Sequence, residues 1–172
     1  MRLGALVLAT ALVACSPPAV QTQERPPATP PAGAACNALA PDPTRLVEVR
    51  DGEAAATAAA ELRGGAIAPG TYDLIGAVRI GAATGWREPR AVALQVAESD
   101  EGVVLNWAGS APGGPIDTWT ATLRETPSVR LSYSCGRIGD VEAAFSAQAD
   151  RLELRIQDGA SGALSLSFAR RP

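Results

Sequence analysis

The sequence predicts an all-β domain, a small antiparallel barrel of eight strands, on three observations. From Gly70 onward, apolar and polar residues alternate, the period of a strand whose side chains point to opposite faces in turn. The alternation restarts eight times, and Gly, Pro, Asp and Ser clusters of turn chemistry separate the runs. The apolar phase always makes one face and the polar phase the other, so every strand lines the same core. Consecutive strands of this kind close most economically as an up-and-down barrel, which leaves no exposed edge. A two-sheet sandwich is the competing arrangement.

The chain opens with Arg2 and an apolar run from Leu3 to Ala14. A bilayer-spanning helix needs about 20 apolar residues, so the run fits the central segment of a signal peptide instead. It ends in Leu12-Val13-Ala14-Cys15, which resembles the lipobox of bacterial lipoproteins residue for residue. That resemblance implies that residues 1–14 are removed and that the Cys15 thiol carries a diacylglycerol, with a further acyl chain on its freed amino group. Each buried methylene then contributes about 0.8 kcal/mol to anchoring. Ser16 follows the cysteine where an aspartate would imply inner-membrane retention. The resemblance therefore places the anchor in the outer membrane, facing the periplasm.

Residues 15–43 read as the lipidated cysteine and a disordered tether. Pro17, Pro18, Pro26, Pro27, Pro30, Pro31, Pro41 and Pro43 fall there among few large apolar residues, too little to form a core. In polyproline geometry the stretch from Ser16 to Ala35 reaches at most roughly 60 Å. Residues 44–172 form the single domain. Leu46, Val47 and Val49 make a short apolar patch, and Gly52 to Arg63 is alanine-rich and reads as a helix. Asp51 is placed to cap its first turn and Gly64-Gly65 to end it.

The strands follow in order. Tyr72, Leu74, Val78 and Ile80 share a face with Gly76; then come Val92, Leu94 and Val96; Val103, Leu105 and Trp107; Trp119, Ala121 and Leu123. Val129, Leu131, Tyr133 and Cys135 make the fifth run, followed by Val141, Ala143, Phe145 and Ala147, by Leu152, Leu154 and Ile156, and by Leu164, Leu166 and Phe168. The opposite phase carries Asp73, Arg79, Gln95, Asn106, Thr118, Thr120, Arg124, Glu153 and Ser167 among others. Such an outer wall faces water, the reverse of a transmembrane barrel. From Gly64 to Phe168 the arrangement resembles the lipocalin-like (calycin) barrels, with Gly70-Thr71-Tyr72 in place of the family's Gly-x-Trp motif. The segment Gly64-Gly65-Ala66-Ile67 with Gly70-Thr71-Tyr72 is also similar to small bacterial lipoproteins with such domains, a likeness that implies no activity.

With Cys15 committed to lipid, Cys36 and Cys135 remain in a compartment where disulfides persist. Their bond would pin the N-terminal segment across one barrel end, with Cys135 on the inward face of its strand. Closing so long a loop contributes about 4 to 5 kcal/mol in the chain-entropy model.

Chemistry is sparse. The chain has no histidine and no lysine, and a net charge of -3, so the commonest general base and metal ligand is missing. Its arginines are scattered rather than clustered along a phosphate track, which argues against nucleic acid. Ser110 and Ser161 sit in glycine-rich turns without the strand-turn-helix setting of a nucleophile elbow. Asp100, Glu101, Asp140, Asp150 and Asp158 fall in turns without the spacing of a catalytic pair or a calcium loop. The expectation is a monomeric, non-enzymatic protein with no cofactor and no metal site.

Trp107 and Trp119 share the apolar phase on either side of one loop and should face each other at one barrel end. Trp86 lies out of phase in the first hairpin loop beside Arg87, either as an exposed contact or folded over the barrel mouth. Two functions follow. One is a binding module holding a small apolar ligand near Tyr72, Trp86, Trp107 and Trp119, with a barrel filled by its own side chains as the equal possibility. The other is a protein-interaction role in envelope assembly or enzyme inhibition. For the latter, Tyr133-Ser134-Cys135-Gly136 and Ala160-Ser161-Gly162-Ala163 resemble the membrane-anchored C-type lysozyme inhibitors over the last quarter of the chain, although Leu164-Ser165 replaces that family's Arg-Tyr.

Overall fold

The computed structural model describes residues 35–52, 62–125 and 128–172. Cys15 and residues 53–61 of the expected helix lie outside them. Among the described residues nine strands are present: β1 (Val49–Gly52), β2 (Gly70–Gly81), β3 (Ala91–Ser99), β4 (Gly102–Ser110), β5 (Asp117–Arg124), β6 (Arg130–Cys135), β7 (Asp140–Gln148), β8 (Arg151–Gln157) and β9 (Gly162–Arg170). From β2 to β9 each strand pairs antiparallel with the next, and β9 returns to pair with β2 from Tyr72 to Gly81. The ring closes, as the one-faced alternation predicts, and the sandwich is excluded. Its interior holds Tyr72, Leu94, Leu105, Trp119, Leu131, Phe145, Leu152, Leu154, Leu166 and Phe168, all essentially inaccessible to solvent.

The ninth strand is a departure. Asp51 and Gly52, read as the start of a helix, are strand residues of β1, which runs parallel to β2 with Val49 opposite Ala77 and Gly52 opposite Ile80. The Asp51 carboxylate accepts hydrogen bonds from Arg79 Nε and Nη2 across the pair. The cause lies in β2, which pairs with β3 only over Gly70–Asp73 and then diverges from it. Beyond that point β2 would present unpaired backbone groups, and β1 satisfies them, while Val47 exchanges both backbone hydrogen bonds with Arg90 at the foot of β3 (2.9 and 3.1 Å).

A second departure sits in the same strand. Pairing of β2 with β9 slips between Leu74 and Gly76, a bulge that leaves Ile75 exposed. One extra residue inverts the phase of everything beyond it. Ala77 therefore takes the inward position opposite Leu166, Arg79 falls in phase with Leu164, and Val78 and Ile80 leave the inner face. A similar slip between Thr120 and Ala121 sets Cys135 opposite Thr120. Thr120 Oγ1 donates to Asn106 on the polar wall, so Cys135 is on the outward phase and not the inward one.

That inversion decides where the disulfide lies. Cys36 and Cys135 are bonded, with their Cα atoms 5.6 Å apart, and the bond fastens the N-terminal segment to the outer wall. Thr118, Ala108, Ala93 and Asp73 are successive register partners across β5, β4, β3 and β2. Cys36 N–H donates to Thr118 Oγ1 at one end of this row, and Arg45 donates to Asp73 at the other. Between them Ala93 and Ala108, although outward in phase, are 0% exposed. Residues 36–45 thus form a strap laid along a track of alanines, and Pro41 within it is buried. Asp73, expected in water, is buried under the strap, where Arg171 also donates to it through Nε and Nη2. Residues 36–43, assigned to the tether by composition, belong physically to the barrel wall.

Two ends result. The disulfide end carries the loops 82–90, 111–116, 136–139 and 158–161; the other, the Ile67 end, carries 100–101 and 149–150 and the segment 64–69. At the Ile67 end, Gly64 bridges Ser146 of β7 in parallel, and a Cβ on Gly65 would approach the Ala147 carbonyl oxygen to 2.9 Å. The glycine pair is what lets the backbone lie against β7. From there the chain crosses to β2 and places Ile67 in the core.

Candidate functional site

The disulfide end gathers most of the aromatic side chains. Trp107 of β4 and Trp119 of β5 are direct register partners on the inward phase, so their rings stack, 5.2 Å apart and 10° from parallel. Phe168 meets Trp107 edge-on at 6.1 Å, and Tyr133 meets Trp119 edge-on at 5.3 Å. Edge-to-face contact sets a positive ring edge on a negative face. The fifth ring comes from a loop: Trp86 lies 5.5 Å from Trp107 at 46°. Trp86 has φ of 52°, which is rare for a bulky side chain and must be held by its surroundings. The holding groups are the ring contact and Asp158, whose carboxylate accepts the N–H of Thr84 and of Gly85 at 2.7 Å each. Asp158, read as a plain turn residue, is the tie between two loops.

Two arginines complete the cluster. The Arg90 guanidinium sits 5.5 Å from the Trp86 ring, and that of Arg137 sits 5.8 Å from Trp119 and 5.7 Å from Tyr133, distances at which a cation is attracted to a ring face. Burial pushes the Tyr133 phenol above its ordinary value, and the neighbouring Arg137 pulls it part of the way back. The Nε1 atoms of Trp107 and Trp119 are buried and, among the described residues, donate to no acceptor. This assembly can pack, stack and donate hydrogen bonds. It holds no nucleophile with an adjacent base, and among the described residues no cluster of three His, Cys, Asp or Glu side chains is placed for a metal ion.

Of the four residues expected near a ligand, Trp86, Trp107 and Trp119 are brought together and Tyr72 is not. The Tyr72 hydroxyl donates to the Ala68 carbonyl at 2.7 Å, within the segment that closes the opposite end. Trp86 folds over the barrel mouth rather than projecting as a free contact. Tyr133 and Phe168 are in phase for this cluster and were legible as inward residues, whereas nothing in the sequence marked Arg90 and Arg137 as its cations. The clefts of the described residues include one at the Ile67 end, lined by Glu101, Val103, Leu123 and Arg124, and one beside the strap, lined by Pro41, Arg45, Asp73 and Arg171. No protein-family model matches the chain, and none of the curated proteins does.

Proposed function

We propose that the chain is a lipid-anchored, non-enzymatic protein of the cell envelope, held in the outer membrane through Cys15, whose barrel is a filled scaffold and whose contacts are made on its rims and outer wall. The anchoring rests on the lipobox resemblance at Cys15, and the observation that carries the filled-scaffold reading is the interior. Trp107, Trp119, Phe145 and Phe168, with leucines from β3, β4, β6, β8 and β9, occupy it and are no more than 2% exposed. A barrel of eight strands is just wide enough for side chains to fill it or for one small ligand to take their place. The filled interior favours a protein-interaction role in the envelope over carriage of a small apolar ligand.

The test is native mass spectrometry of the protein extracted gently from its own envelope. The expected result is a mass carrying the Cys15 acyl groups and no other small molecule, with detergent-phase partitioning lost in Cys15→Ala. A small molecule that co-purifies in stoichiometric amount and quenches tryptophan fluorescence on re-addition would overturn the filled-scaffold reading. An unmodified Cys15 would overturn the anchoring.

A further inference from the structure

The disulfide end also carries the two most exposed large hydrophobic side chains of the described residues. Ile138, in the loop between β6 and β7, is 96% exposed, and Ile116, in the loop between β4 and β5, is 51% exposed. These are neighbouring loops, because β5 pairs with both β4 and β6. Both project: a Cβ added at Gly113 or Gly139 would find nothing within 4 Å. They carry little charge to desolvate. Residues 111–116 are Ala, Pro, Gly and Ile alone, and the single charge of 136–139, Arg137, has Asp117 3.9 Å away. The turns of the Ile67 end contrast with these two loops, since charges of both signs, Glu98, Asp100, Glu101, Arg124, Glu125, Asp150 and Arg151, lie in and beside them, with Arg124 3.6 Å from Glu101.

The point of departure of the tether gives the exposed isoleucines a direction. Cys36 is bonded to Cys135, and Ile138 follows Cys135 by three residues. The chain leading back to Cys15 therefore leaves the domain beside the isoleucine loops. We propose that the disulfide end docks on the surface of the membrane that holds the anchor, with Ile116 and Ile138 entering its interfacial layer and the charged turns of the Ile67 end turned away. This rests on lipid anchoring at Cys15. Two isoleucines bind a bilayer weakly by themselves, but a tethered domain meets the surface at a high effective concentration, and a weak contact suffices to orient it.

Hydrogen exchange read by mass spectrometry tests this on the full lipidated chain in phosphatidylethanolamine–phosphatidylglycerol vesicles, against a lipidated double variant Ile116→Asp, Ile138→Asp. The expected result is exchange several-fold slower in wild type over 111–116 and 136–139, and equal in the two proteins over 98–102 and 148–151. Both proteins with Cys15→Ala, free of vesicles, should exchange alike in all four stretches, which separates docking from any change in folding. Equal exchange at the isoleucine loops in two acylated proteins would overturn the docking while leaving the anchor intact. Slower exchange at 98–102 instead would show the opposite orientation and overturn it equally. Absence of acyl groups from Cys15 would remove both the anchoring and the docking.

Discussion

The two ends of the barrel are closed by different means. At the disulfide end, side chains do the closing: four rings project inward from strands, Trp86 folds in from a loop, and two arginines lie against the rings. At the Ile67 end, backbone closes it, a segment laid against β7 through Gly64 and Gly65 that carries one isoleucine inward. The first kind of closure follows from residue type and strand phase, which a sequence displays. The second depends on glycines that let two stretches of backbone approach, and their partner is more than 80 residues away in Ser146.

The comparison can be broken most severely through the disulfide, which fastens the strap at one end only. Reducing it, or replacing Cys36 and Cys135 by serine, should lower stability by about 4 to 5 kcal/mol in the chain-entropy model for so long a loop. Denaturant unfolding with and without reductant measures the loss, and an unchanged midpoint would mean that the alanine track and Arg45 hold the strap unaided. Next come the plugs themselves. Trp119→Ala should cost about 4 kcal/mol and Ile67→Ala about 2 kcal/mol, because the tryptophan leaves the larger cavity in the stack. Equal losses would show that the ends are closed with equal strength.

A smaller effect is expected on the wall between the ends. Ala93→Leu should lift the strap and cost about 1 to 3 kcal/mol by overpacking, with faster proteolysis of residues 36–45 as its signature. The smallest effect is alkaline. Burial raises the phenols of Tyr72 and Tyr133 above the ordinary value of 10.0, so the folded state holds these protons more tightly than the unfolded state does. Their contribution is complete below pH 10.0 and is lost as the pH rises toward the folded values. Urea midpoints measured above that pH should fall, and Tyr133→Phe should remove the part of the fall that belongs to the disulfide end.

The eight strands that close the ring and the Trp107–Trp119 pairing were legible in the sequence because each is a consequence of period-two alternation within a run of a few residues. The disulfide was legible from cysteine arithmetic, but its position was not. Both misplacements, Val78 and Ile80 in β2 and Cys135 in β6, lie beyond a bulge, and a bulge is one residue that no alternation announces. Gly76 inside a strand was the available sign, since an interior glycine often marks such a slip. Ser134 in β6 offered none. The start expected for the helix was misplaced for a different reason: Asp51 and Gly52, read as its cap and first residue, answer to the unpaired edge of β2, while residues 53–61 lie outside the described residues.

The sequence by itself determined an all-β chain of eight alternating runs, the pairing of Cys36 with Cys135 and the meeting of Trp107 with Trp119 at one end. These follow from side-chain period, residue chemistry and turn residues, all of which act over short stretches. Only the tertiary structure decided that β1 fills the gap left by β2, that residues 36–45 cross the wall over Ala108 and Ala93, and that Asp73 is buried beneath them. Each of these answers a vacancy created when distant strands close into a ring, an unpaired edge or a smooth track of small side chains. Such a vacancy exists only after the ring has closed.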